Sequence, residues 1–261
     1  MFETVTIETD ARGVATLTLN RAEKHNAMNA QMLDDITAAA KELAEDDNVR
    51  VVILTGAGKS FCAGGDLAWM RQQMEMDAET RAKESRKLAI MLKALNEMPK
   101  PVIGRVQGNA FGGGVGMASV CDVTIGADTV TMGLTEVKLG LIPANIGPYV
   151  VSRMGEAMAR RVFFSGRLFK ADEAVTLGLL AKAVPMEELD AAVEAEVTPY
   201  LVAAPGAVAA AKALAQTLGR AATDEAAITD CVNALVKAWE GNEAPEGIAA
   251  FFEKRKAAWV G

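Results

Sequence analysis

Residues 107–122 read QGNAFGGGVGMASVCD and place Gly112, Gly113, Gly114 and Gly116 between an apolar strand-like run, Val102 to Val106, and the start of a helix. Glycine loses more backbone freedom on folding than any other residue. Four of them at a helix start call for close backbone packing or for a ligand lying against bare amides. The first N–H groups of a helix have no partner inside it, and the helix dipole adds partial positive charge there. Strand, glycine tract and helix in that order make a cradle for negative charge. A second cradle, Phe61-Cys62-Ala63-Gly64-Gly65-Asp66, also lies between a strand and a short helix. Two amides from separate loops meeting on one oxygen would form an oxyanion hole, which stabilises a transition state by roughly 2.7–4 kcal/mol per donor.

Two other readings of these glycines fail on spacing. TGAGKS (55–60) suggests a phosphate loop, but the glycine required five positions before the Gly-Lys-Ser is replaced by Ile53, inside a strand. A dinucleotide fingerprint starting at Gly112 would need glycine at position 117, which is Met117. A scaffold whose glycines only allow tight helix packing remains as the ordinary alternative.

Around these tracts the pattern alternates. Thr4–Thr9 and Val14–Leu19 predict a hairpin turning at Arg12-Gly13. Asn29 predicts the cap of a helix to about Asp46, with Met32, Leu33, Ile36, Ala40 and Leu43 on one face. Val49–Leu54 predicts a buried strand followed by the loop TGAGKSFCAGGD. A helix is expected from about Asp77, striped by Leu88, Met91, Leu92 and Leu95 and ended by Pro99 and Pro101. Val102–Val106, Val123–Ile125, Val130–Met132 and Ala181–Val184 predict further strands. The last sixty or so residues are Ala-rich and helical, punctuated by Pro205-Gly206, Gly219 and Pro245. Strands alternating with helices imply an α/β core carrying a helical addition.

Composition narrows the class. A chain of 261 residues is long enough for one large domain, and its net charge of −7 argues against nucleic acid or an anionic membrane as partner. Cys62, Cys121 and Cys231 lie far apart and His25 is the single histidine, so the spacing predicts neither a zinc site nor a disulfide framework. The start MFETVTIETD lacks the basic and apolar stretches of a signal peptide, and no apolar run approaches the ~20 residues of a spanning helix. A soluble, cytoplasmic protein is the expectation.

The runs NRAEKHNAMN (20–29), KSFCAGGDL (59–67), VQGNAFGGGVGMASVCDVTIGA (106–127), MGLTEVKLGLIP (132–143) and AFFEKRKAAW (250–259), in this order, resemble the enoyl-CoA hydratase/isomerase (crotonase) superfamily. The resemblance spans nearly the whole chain. It implies an α/β fold made of a spiral of strand–strand–helix turns, with a core over residues 1–200 and a C-terminal helical region over 201–261. It also implies a homotrimer or dimer of trimers, and an acyl-CoA thioester substrate with no cofactor beyond the coenzyme A that the substrate carries.

By position, the resemblance assigns the backbone N–H groups of Ala63 and Gly113 to the thioester oxygen and Glu136 to proton transfer. Glu136 stands among Met132, Leu134 and Leu139, where burial should raise its pKa toward neutrality. Lys24, Ala27, Asp66 and Leu67, with Ala63 and Gly113, border the implied coenzyme A and pantetheine path. Phe251 and Lys254 match positions lining the coenzyme pocket, often across a subunit boundary. Arg21 could add a cation for the phosphates. The ordinary alternatives are a helix-start charge for Glu136, core for Phe251 and a solvated charge for Lys254.

One departure matters. Many hydratases of this family carry a second glutamate three residues after the oxyanion glycine, and here that position is Gly116. A single carboxylate can return a proton taken from water, giving hydration, or move a proton between carbons 2 and 4, giving isomerisation. DLAWM (66–70) and LIPANIGPYVV (141–151) resemble the methylglutaconyl-CoA hydratase branch and favour hydration. A non-catalytic CoA-binding or RNA-binding protein is the alternative of another class.

Overall fold

The computed structural model describes residues 2–218 and 225–257. Its first elements are β1 (Val5–Thr9) and β2 (Val14–Leu19), paired antiparallel as the predicted hairpin. Helix α1 (Ala30–Glu45) follows, its start set by Asn29, whose side chain accepts a hydrogen bond from the Met32 N–H at 2.9 Å. Its apolar positions recur at the helical period, so Met32, Leu33, Ile36, Ala40 and Leu43 all lie buried against the sheet.

Next come β3 (Val51–Gly56), β4 (Ser60–Cys62), α2 (Leu67–Glu75) and α3 (Ala78–Asn96). The strand starts two residues later than the pattern predicted and ends two later. Asp77 caps α3, accepting from the Thr80 N–H at 2.8 Å. The chain continues through β5 (Val102–Val106), β6 (Asn109–Phe111), α4 (Gly113–Val120), β7 (Val123–Ala127) and β8 (Thr131–Gly133). Then come α5 (Gly147–Met154), α6 (Glu156–Ala159), β9 (Leu168–Lys170), α7 (Ala171–Thr176), β10 (Lys182–Val184) and α8 (Leu189–Leu201). The last elements are α9 (Pro205–Leu218), α10 (Glu225–Trp239) and α11 (Glu243–Phe252).

The strands form two sheets. The larger runs β1-β2-β3-β5-β7-β10, parallel except for the opening hairpin; the smaller runs β4-β6-β8-β9, parallel except for β9. Three times the chain passes from a larger-sheet strand to a smaller-sheet strand and then into helix: β3-β4-α2, β5-β6-α4 and β7-β8-α5. This is the expected spiral of strand–strand–helix turns, with helices after it. Of the smaller sheet the sequence predicts only β8, one residue early as Val130–Met132; β4, β6 and β9, like it, are three residues long and too short to show alternation. Of the predicted C-terminal features, Gly219, Ala258, Trp259 and the Cys231 side chain lie outside the described residues.

Two buried amides explain the misleading TGAGKS run. Asn26 Nδ2 donates to the carbonyls of Ala57 and Ser60 at 2.9 and 2.8 Å, and Gln107 Nε2 donates to those of Gly56 and Ser60 at 2.6 and 2.9 Å. The carbonyls of this loop are satisfied from within the fold, and its glycines admit the amides closely: a Cβ on Gly56 would lie 2.7 Å from Asn26 Nδ2.

The glycine tract lies where α4 runs against β4. A Cβ on Gly114 would lie 2.7 Å from the Cys62 carbonyl oxygen, a backbone atom that cannot step aside. We predict that Gly114→Ala destabilises the fold by roughly 1–3 kcal/mol through overpacking. Chemical denaturation checks this, and an unchanged midpoint would contradict the packing described.

Candidate active site

The C-terminal ends of the smaller sheet, the starts of α2 and α4, and the C-terminal helices enclose one cavity of about 430 Å³. Ala63, Gly65, Leu67, Gly113, Glu136 and Phe251 all line it, although they come from distant parts of the chain. A satellite cluster of Leu141, Trp239, Ala244 and Ile248 fixes α10 and α11 against the loop that follows Glu136.

Glu136 opens a single helical turn, Glu136–Leu139, directly after β8. The residue is half-buried as a whole, but its Oε2 is fully buried with no hydrogen-bond partner among the described residues. Burial pushes its carboxyl up from the ordinary 4.5 to about 7, outweighing a hydrogen bond from its own backbone that favours the charged form. Gly112 makes room for this carboxyl. Its φ of +50° is one that L side chains rarely adopt, and a Cβ there would lie 3.1 Å from Glu136 Oε1.

Two backbone donors face the same cavity. Gly113 is the first residue of α4, so its N–H has no intrahelical partner, and it makes no other hydrogen bond among the described residues. The second donor is not Ala63. Ala63 lines the cavity, but its N–H donates to the His25 carbonyl at 3.0 Å. The free N–H is two residues on, at Gly65. The chain there runs as a one-residue parallel bridge to Met28, with Met28 N–H bonded to the Gly64 carbonyl and Asp66 N–H to the Met28 carbonyl, both at 2.8 Å. That register leaves the Gly65 amide without a protein acceptor among the described residues. The AGGD run marked this loop, but a bridge formed with residues near position 28 decides which amide is free, and sequence spacing does not contain it.

At position 116 there is no room for a second carboxylate. A Cβ on Gly116 would lie 2.5 Å from Ile146 Cγ2 and 3.4 Å from Leu92 Cδ1. An aliphatic wall stands where the second glutamate of many relatives would project.

The remaining residues divide. Leu67 and Phe251 line the cavity, about half exposed at 47% and 51%. Lys24, Ala27, Asp66 and Lys254 do not line it. Asp66 instead caps α2, accepting from the Ala68 and Trp69 N–H groups, and pairs with Arg21 at 3.1 Å. Burial would raise its pKa, but these hydrogen bonds and the Arg21 charge together hold it below the usual carboxylate value. Lys24 is exposed on a short helical turn, and Lys254 is exposed in a left-handed conformation just past α11. The buried thiols of Cys62 and Cys121 are pushed up to about 12 by desolvation, which makes them packing residues. Among the polar lining residues not singled out from sequence are Trp69, Ser85 and Asn145.

Comparison with known proteins follows this geometry. The model of the family described as enoyl-CoA hydratase/isomerase matches residues 9–261. A putative enoyl-CoA hydratase from Thermus thermophilus is 35% identical over 254 residues, covering 95% of this chain and 98% of the relative. A crotonyl-CoA hydratase from Syntrophomonas wolfei is 33% identical, covering 99% and 98%. Among solved structures, an enoyl-CoA hydratase from Shewanella pealeana superposes with a TM-score of 0.81 at 33% identity, covering 99% of this chain and 97% of that one.

The buried carboxyl makes a stability prediction independent of activity. A carboxyl whose pKa is higher folded than unfolded binds more protons when folded. Its contribution is therefore favourable at low pH and is lost as pH rises from about 4.5 to about 7. The full shift corresponds to at most roughly 3 kcal/mol. Glu136→Gln should accordingly raise the thermal midpoint above that of wild type at pH 8, and the gain should vanish toward pH 4.5. Melting curves across that range check it; a gain independent of pH would contradict the burial described.

Proposed function

The chain belongs to the enoyl-CoA hydratase/isomerase family, and on that premise we propose that it adds water across the 2,3 double bond of an acyl-CoA thioester, or removes it, with Glu136 as the one proton carrier. The observation that carries this reading is a carboxyl with a pKa raised to about 7, lining a cavity shared with two unpartnered amides.

In the hydration direction, ionised Glu136 takes a proton from water as the water oxygen bonds to carbon 3. The double-bond pair shifts toward carbon 1 and leaves an enolate whose charge rests on the thioester oxygen. The N–H groups of Gly65 and Gly113 hold that oxygen, and the start of α4 adds its dipole. Glu136 then returns its proton to carbon 2, and the enolate collapses to the 3-hydroxyacyl thioester. A pKa near 7 suits a group that must accept and donate within one cycle.

Names of relatives support hydration, among them the crotonyl-CoA hydratase and a short-chain-enoyl-CoA hydratase of Clostridium acetobutylicum. DLAWM and LIPANIGPYVV, which resemble the methylglutaconyl-CoA branch, supply Leu67, Trp69, Met70 and 141–146 to the cavity wall, which supports a 3-methylglutaconyl-like acyl group. The wall at Gly116 favours a second reading. With Ile146 in place of a second carboxylate, Glu136 alone could carry a proton between carbons 2 and 4 as an isomerase. A non-catalytic CoA-binding or RNA-binding protein has less support, given the perturbed Glu136 and the net charge of −7.

The rest of the reading is a cytoplasmic enzyme with no cofactor beyond the substrate's coenzyme A. Residues 1–200 serve as its spiral core, and 201–261 as pocket wall and subunit contact in a homotrimer or dimer of trimers. Exposed Phe164, Leu168 and Met186 supply apolar surface for such contacts. Lys24, Ala27, Asp66 and Lys254 stay as candidates for the outer coenzyme path.

The test is a screen of 2-enoyl-CoA thioesters, 3-methylglutaconyl-CoA included, following loss of the conjugated absorbance. We expect turnover with a single inflection near pH 7, falling on the acid side as Glu136 protonates. Gly65→Pro and Gly113→Pro, each deleting one N–H, should each lower kcat by roughly 10²–10³-fold. Proline suits the first position of a helix, so Gly113→Pro is compatible with α4. A folded Gly113→Pro with normal kcat would remove the oxyanion assignment. Conversion of 3-enoyl to 2-enoyl thioesters without a 3-hydroxyacyl product would select the isomerase.

A further inference from the structure

The cavity is apolar over most of its wall, yet three of its lining residues besides Glu136 carry buried polar atoms with no hydrogen-bond partner among the described residues. They are Trp69 Nε1, Ser85 Oγ and Asn145 Oδ1. Ser85 and Asn145 are 3% and 5% exposed, so bulk water does not satisfy them. Leaving such groups unpaired is costly, and native proteins keep few of them. The orientation of the Asn145 amide is set by the fold: its Nδ2 donates to the Ser85 backbone carbonyl at 3.0 Å, which leaves the oxygen as the free end.

These groups belong to the acyl side of the site. Leu88, one turn after Ser85 on α3, would contact a Cβ on Gly113 at 3.7 Å, so it marks the reacting centre. Ser85 lies about one helical turn, ~4.5 Å along the α3 axis, from Leu88, and both line the cavity.

Taking the cavity as the acyl-thioester site proposed above, we propose that Trp69, Ser85 and Asn145 form a subsite for an oxygen function on the acyl chain. A hydroxyl has the capacity for the whole set: its oxygen can accept from both Trp69 Nε1–H and Ser85 Oγ–H while its O–H donates to Asn145 Oδ1. A carboxylate, such as the terminal one of a 3-methylglutaconyl group, uses the two donors but leaves Asn145 Oδ1 facing negative charge, so this subsite speaks for a different acyl group from that branch's. The only lining cation among the described residues is Lys138, which is solvent-exposed. The nearby guanidinium of Arg81 is already committed to the carbonyls of Gln73 and Met76 and to Glu240. Sites built to hydrogen-bond a substrate hydroxyl reject the analogue that lacks it, because their own polar groups are then left unpaired.

The test is calorimetric binding of three saturated thioesters of similar length, which cannot be hydrated: 5-hydroxypentanoyl-CoA, glutaryl-CoA and hexanoyl-CoA. We expect 5-hydroxypentanoyl-CoA to bind at least tenfold more tightly than hexanoyl-CoA, with glutaryl-CoA between them. Ser85→Ala and Trp69→Phe should each shrink the hydroxyl-to-methyl ratio several-fold, with circular dichroism confirming the fold. Glutaryl-CoA binding most tightly would support the subsite with an anionic occupant. Hexanoyl-CoA binding as tightly as both others, or ratios unchanged in both variants, would overturn it. Because none of these ligands reacts, failure of hydration in the enoyl screen leaves this result readable; failure of all three to bind overturns the subsite and the thioester reading together.

Discussion

The contact between Gly112 and the Glu136 carboxyl is the constraint on which the site depends. The start of α4 must bring bare amides up to a reacting oxygen while a buried carboxyl stands within reach of the same atoms. Both needs meet at one residue, which has a positive φ and no space for a side chain. Hydrogen bonding of the Gly112 N–H to the Gly133 carbonyl at 2.9 Å, just before the Glu136 turn, ties the two segments together. The smaller sheet is what makes this register possible. Its strands β6 and β8 pair in parallel, so one leads into the glycine tract and the other into the glutamate, and both arrive at the same end.

The electrostatics follow from that placement. The helix start favours negative charge on the substrate oxygen, and desolvation disfavours it on Glu136. The two effects act on different atoms and in opposite directions, so in the proposed reaction charge would be directed onto the thioester. Ile146 and Leu92 close the face where a second carboxylate would stand. In the proposed reaction that closure would leave the whole proton traffic to one residue, and it keeps a second negative charge away from Glu136.

Much of this was legible in the sequence. Asn29 declared its helix by cap chemistry, the apolar stripes of α1 and α3 declared their buried faces, and the start expected near Asp77 proves to be an Asp77 cap. The glycines and Glu136 were identified together by their order along the chain. What escaped depends on contacts made at a distance. The three-residue strands of the smaller sheet carry no period. The free amide of this loop is at Gly65 and not at Ala63, because the Ala63 N–H donates to the His25 carbonyl in a segment held by the Met28–Gly65 bridge. Asp66, expected along the coenzyme path, is a helix cap in an ion pair, since a short carboxylate before a helix serves its N–H groups first. Ser85 and Asn145 drew no functional reading from the sequence; it is the fold that buries them beside one another.

The central claim is that one carboxylate, Glu136, carries the proton to and from the enolate. Hydration in deuterium oxide tests it most directly, with the product read by mass and NMR at the α-carbon. The account predicts one deuterium at that carbon from the wild type, and loss of both deuterium incorporation and hydration in Glu136→Gln while the variant still binds coenzyme A thioesters. A Glu136→Gln enzyme that still forms α-deuterated 3-hydroxyacyl product at a substantial fraction of the wild-type rate would contradict it.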